Sequence, residues 1–166
     1  MLHNVHMSQY IPCTAMSFVT GTWANSAGYV AGTISKRKTA NAETGVVTVP
    51  IVIPSNSIAL QGAKLVSIEL DYELETDVAT SVTAVLHKIV RTADTVPQVA
   101  SHPTITQNLA AATDAASHDQ HKLTASLTTP VWIDNDDYYL CEFSFVCGAD
   151  VVVEVLAAVV NFTLRV

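Results

Sequence analysis

The chain has 166 residues, of which 49% are apolar and only 14% charged, with a formal net charge of −7 at pH 7. That length suits one domain with a sizeable hydrophobic core, and the acidity opposes non-specific binding to nucleic acid or to an anionic membrane. No apolar run approaches the ~18 residues of a membrane span. The charged fraction lies well below the roughly 25% of an ordinary soluble domain, so part of the surface is expected to be hidden against a partner, and a homo-oligomer is favoured. The opening Met1-Leu2-His3-Asn4-Val5-His6-Met7 has no basic region followed by a long apolar core, so no secretory signal is expected there. Cys141 and Cys147 stand six residues apart on one expected strand. That is about 20 Å at strand rise and too far for a disulfide. With Cys13 they are expected to be buried thiols, made in a reducing cytoplasm.

In chain order, residues 1–12 read as an N-terminal arm and 14–19 as a first strand. Gly21-Thr22-Trp23 leads into a long loop over 24–45, rich in Ala, Asn, Ser, Gly and Thr. Tyr29, Val30 and Ile34 suggest a short strand within it. Lys36-Arg37-Lys38, three of the eight basic residues, reads as a solvated run. Residues 46–53 are strongly β, with Val46, Val47, Val49, Ile51, Val52 and Ile53 all β-branched, and Pro50 places that strand at an edge or a bulge. Residues 63–74 alternate cleanly. Val66, Ile68, Leu70, Tyr72 and Leu74 point to a core, and Ser67, Glu69, Asp71 and Glu73 to solvent.

After Thr76-Asp77, residues 80–90 pair back as an antiparallel strand. Residues 91–120 are expected to be a second long loop, with one short strand at 103–109. Residues 121–128 alternate again, with Leu123, Ala125 and Leu127 inward. Asp134-Asn135-Asp136-Asp137 then opens a closing hairpin over 137–166. In its last arm Leu156, Ala158, Val160, Phe162 and Leu164 share one parity. Val151, Val153, Val155, Ala157 and Val159 share the other. A strand apolar on both parities is expected to lie in a sheet covered on both faces. That makes Val153, Val155, Ala157 and Val159 candidate interface residues. Seven to nine strands with regular turn signals and no amphipathic helix specify an all-β, antiparallel sandwich of jelly-roll type, as a single domain over 1–166.

The chain offers little chemistry. Glu69 and Asp71 have no His or basic clamp near them in the sequence and are expected to be solvated carboxylates. No His-x-His pair, nucleophile elbow, phosphate loop or Cys-x-x-Cys occurs, so neither an enzyme nor a cofactor or metal site is expected. The Asp134–137 cluster lacks the central Gly and distant Glu of a calcium loop, and Asx turns account for it. Trp23 and Trp132 are the candidates for a sugar-stacking contact, weighed against the commoner role of such rings as packing anchors.

Three stretches carry a resemblance: Gly21-Thr22-Trp23; Gly62-Ala63-Lys64-Leu65-Val66-Ser67-Ile68 with the following Tyr72-Glu73; and Ala158-Val159-Val160-Asn161-Phe162-Thr163-Leu164-Arg165-Val166. Their layout resembles small β-sandwich virion structural proteins of tailed bacteriophages and prophages. The resemblance implies a jelly-roll subunit of the virion, a homotrimer for preference. Such a subunit acts as a capsid decoration protein on the major capsid protein or another virion protein, or projects as a short fibre. The alternative is a carbohydrate- or receptor-binding module of a head or tail fibre, with Trp23 or Trp132 at its contact.

Overall fold

A computed structural model describes residues 4–26, 34–39, 41–54, 62–90, 99–108, 119–134 and 137–165. Among these residues there are twelve strands: β1 (Asn4–Pro12), β2 (Ser17–Thr20), β3 (Trp23–Ser26), β4 (Ser35–Lys38), β5 (Thr44–Ile51), β6 (Ala63–Glu75), β7 (Ser81–Val90), β8 (Val99–Ser101), β9 (Ile105–Gln107), β10 (Asp119–Trp132), β11 (Asp137–Val146) and β12 (Val152–Arg165). One turn of 3-10 helix, Cys13–Ala15, separates β1 from β2. Every pairing is antiparallel. One sheet has seven strands in the order β3-β4-β12-β6-β10-β9, with β1 also paired to β12; the other has five, in the order β2-β5-β11-β7-β8. The all-β antiparallel sandwich read from the alternation is the architecture observed, with twelve strands among the described residues where seven to nine were expected, because the short or polar strands carry no alternation of their own.

The two inner faces meet in one apolar core. Leu65, Ile68, Leu70, Tyr72 and Leu74 of β6 pack with Leu123 of β10, Leu86 of β7, and Phe143 and Phe145 of β11, all fully buried. Tyr72 meets Phe145 edge-on at 5.1 Å between ring centres, and burial pushes its phenol well above the usual range. Cys13, Cys141 and Cys147 are free thiols buried in this core. Burial raises the pKa of each, which makes them poor nucleophiles.

The strands β5, β6, β7, β10, β11 and β12 lie where the sequence places them to within a few residues, and β9 falls inside the short strand expected at 103–109, whereas the strands before β5 differ. The N-terminal arm is β1, paired with β12 from Asn4↔Arg165 to Pro12↔Ala157. The segment read as the first strand begins with the 3-10 turn instead. The expected loop over 24–45 contains the end of β3 and all of β4. Tyr29 and Val30 lie outside the described residues. Lys36-Arg37-Lys38 belongs to β4 and is not a solvated run: Lys38 is fully buried, its stem against Trp23 and Gly45. Its ammonium donates to the carbonyls of Thr39 (3.1 Å) and Asn41 (3.0 Å) and lies 3.8 Å from Glu43. A buried lysine is tolerable because its long stem carries the charge to acceptors. The second expected loop holds, besides the expected short strand, β8 and the start of β10.

The expectation for β12 needs correction. Its register with β6 runs Val153↔Leu74 and Val155↔Tyr72, then resumes at Ala157↔Asp71. Leu156 is therefore an extra residue, a β-bulge, and it exchanges the two faces of the strand. Before the bulge Val151, Val153 and Val155 point into the core; after it Ala158, Val160 and Phe162 do. Val153 and Val155 are completely buried by the chain's own sandwich and do not face outward. Ala157 and Val159 remain on the outer face, Ala157 half-buried and Val159 buried beside Tyr10 and Glu69. Glu73, expected in solvent, is buried on the outer face opposite Glu154. There Ser35 bonds Glu154, and Arg37 bonds Glu75 at 2.5 Å.

Candidate functional site

The outer face of the seven-stranded sheet is assembled from strands far apart in sequence. Registers align its outward positions in rows. His6 of β1 lies opposite Thr163 of β12, Thr163 opposite Lys64 of β6, and Lys64 opposite Trp132 of β10. These four span three strand spacings, about 14 Å. The next row reads Ser8, Asn161, Ser67 and Ser126, and the one after it Tyr10, Val159, Glu69 and Thr124.

Two irregularities at one level carve the first row into a groove. Val66 is an extra residue in β6 between Ser67 and Leu65, and four residues of β10 intervene between Ser126 and Val131 against that one. Bulges re-aim side chains where a ladder is interrupted. Here they turn Val66 and Pro130 to the walls of a groove of about 440 Å³, lined also by Asn4, His6, Lys64, Trp132 and Thr163. That volume lies within the range of small-ligand sites.

Trp132 is 40% exposed, and the Lys64 ammonium sits 5.6 Å from its ring centre. His6 Nδ1 and Thr163 Oγ1 approach to 3.4 Å. The adjoining row is a connected polar network. Ser8 donates to Asn161 (2.7 Å), and the Asn161 amide donates to Ser67 (3.1 Å) and to the Glu69 carboxylate (2.9 Å), which also takes Lys122 at 2.9 Å. The bond to Glu69 holds the Lys122 ammonium above its ordinary pKa, and desolvation pushes the Asp71 carboxyl up. Side chains fixed by one another hold donors and acceptors in place before any ligand arrives. The arrangement sets a 40% exposed indole, with the Lys64 ammonium over its ring, beside fixed hydrogen-bonding groups.

Of the two tryptophans singled out, only Trp132 lies here. Trp23 stands in the row Lys38, Val153, Leu74, ten positions along β6 from the Trp132 row, roughly 30 Å away. It packs on the core with Phe18 at 4.8 Å, and its indole N–H donates to the Thr20 carbonyl at 2.6 Å. One glycan contact built from both rings is therefore excluded. Asn4, His6, Lys64, Val66, Pro130 and Thr163 gave no signal in the sequence, because their convergence is set by register and bulges. Asn135 and Asp136 lie outside the described residues; Asp137 accepts an ion pair from Lys88 at 2.6 Å. Among the described residues no group of three or more His, Cys, Asp or Glu is arranged to hold a metal. No described helix is long and apolar enough to cross a membrane.

No family model matches the chain, and no curated protein matches it in sequence. Solved structures to which it is similar include a carbohydrate-binding module of the β-sandwich superfamily (12% identity, TM-score 0.43, 95% of this chain and 56% of that one). Another holds the CBM22-1-GH10 modules of the N-terminal endo-1,4-beta-D-xylanase 10B of Clostridium thermocellum, complexed with xylohexaose (7%, 0.43, 94% and 28%). A third is a family 11 carbohydrate-binding module from the same organism, in complex with a beta-1,3-1,4-mixed-linked tetrasaccharide (9%, 0.30, 98% and 87%). This chain thus spans about half of the first chain and about a quarter of the second. Likenesses this distant carry no argument about a ligand, and the functional case rests on the groove itself.

Proposed function

We propose that this protein is a non-catalytic carbohydrate-binding domain, holding an oligosaccharide across the outer face of its seven-stranded sheet with one sugar ring on Trp132. The observation that carries the reading is the exposed indole of Trp132 in one row with Lys64, Thr163 and His6, at a groove of ligand size. A pyranose has a C–H face that packs on an aromatic ring and a rim of hydroxyls that needs donors and acceptors. Tryptophan buries the first, and the Thr163, His6 and Asn4 side chains meet the second. No nucleophile–base pair or metal set enters the reading, so the ligand is held and not converted. The resemblance to tailed-phage virion proteins then supplies a setting, a particle-borne tip that grips a cell-surface glycan.

The test is a glycan array followed by calorimetry on the wild type and Trp132→Ala. Binding of a defined oligosaccharide class is expected, weakened at least ~10-fold in the variant, or ~1.4 kcal/mol, with the circular dichroism spectrum unchanged. Binding to no glycan, or binding indifferent to loss of the indole, contradicts the proposal.

A further inference from the structure

Along its whole length β1 is bonded to a single described neighbour, β12. Residues 4–8 are all exposed, and no described strand lies on the other side. A bare strand edge is a row of unpaired N–H and C=O groups, and proteins blunt such edges with short strands, bulges, mid-strand prolines or charges. β1 has none of these. It is nine residues long, keeps its register with β12 without a shift, contains no Asp, Glu, Lys or Arg, and has its only proline at the last position. Beside its C-terminal end lies an apolar cleft of about 180 Å³ lined by Tyr10, Ile11, Pro12, Pro50 and Val52, among others. Tyr10 is 75% exposed there and Val52 71%.

We infer that β1 pairs antiparallel with β1 of a second copy of this chain, about a two-fold axis, joining two seven-stranded sheets into one. Electrostatics favours a second copy at this edge. Each copy carries −7, so two copies approach most easily through a surface free of charge, and β1 is such a surface. An antiparallel strand pair is its own complement under two-fold symmetry, as an isologous interface requires. Nine residues make a strand edge about 30 Å long, and Pro50 of the second sheet, with the adjoining Val52, widens the contact at its C-terminal end. Main-chain bonds supply the affinity, and the cleft takes side chains from the partner strand. The pairing stands whatever the groove binds. Because β1 also contributes Asn4 and His6 to the groove, it brings two grooves onto one continuous face.

Sedimentation equilibrium on the whole chain tests it, using the wild type and the double variant Val5→Lys, Met7→Lys. Both positions are 43% exposed, so lysine is tolerated in the monomer, while pairing of all nine residues about Ser8 sets the introduced ammonium groups of each copy against Ile11 and Gln9 of the other, in the uncharged edge that the dimer buries. A dimer of the 17.7 kDa chain is expected, with its Kd raised at least ~100-fold in the variant and the unfolding midpoint of the monomer unchanged. Should the variant fail to fold, hydrogen exchange on the wild type decides instead: β1 amides gain protection as concentration rises. A monomeric wild type, a dimer untouched by the lysines, or β1 exchange independent of concentration overturns the inference.

Discussion

Position 45 shows how closely the corner beneath β3 is packed. A methyl group there would stand 2.9 Å from Cζ2 of Trp23 and 3.0 Å from Cδ of Lys38. Lys38 is fully buried and its ammonium is tied to two carbonyls, while the Trp23 indole is held by the Thr20 carbonyl, so neither neighbour can withdraw freely. Gly45→Ala is therefore expected to destabilise by about 1–3 kcal/mol through overpacking, read as a lower urea midpoint at constant m-value. An unchanged midpoint would mean that the corner yields without cost. The same contacts explain why Trp23 belongs to the fold and Trp132 to the groove. One indole has its N–H on a backbone carbonyl and its ring on Phe18; the other stands 40% exposed beside a lysine.

Among the strands, those legible in the sequence are long and lie against the core. Ala63–Glu75 and Asp137–Val146 alternate because one face of each is buried. β3 and β4 were hidden since a four-residue strand made of Ser35-Lys36-Arg37-Lys38 has polar composition, and its burial comes from tertiary contacts. β1 was hidden because its residues are mostly exposed and do not alternate sharply. β12 misled for a different reason. One inserted residue, Leu156, converts a strand with a single core face into a sequence that reads apolar on both parities. The corrected faces make a sharp comparison. Val155→Thr buries a hydroxyl in the core and is expected to cost about 1–3 kcal/mol, whereas Ala157→Ser, beyond the bulge on the outer face, stays within ~0.5 kcal/mol. Equal costs at the two positions, measured by thermal or urea unfolding, would contradict the assigned bulge.

At the scale of the molecule, the groove is made by β1, β6, β10 and β12, whose lining residues run from Asn4 to Thr163. Nothing local in the sequence marks that convergence. It follows from two adjacent ladders losing register at the same level, a property of paired strands and invisible in any one of them. Trp132 was the one member that composition could single out. The measurement closest to the central claim is residue-resolved amide and indole chemical-shift mapping while an array-selected oligosaccharide is titrated in. Perturbations are expected to centre on His6, Lys64, Val66, Thr163 and the Trp132 indole, leaving Trp23 unmoved. Shifts centred on the five-stranded sheet or the Trp23 corner, or no shifts at saturating sugar, would contradict the account.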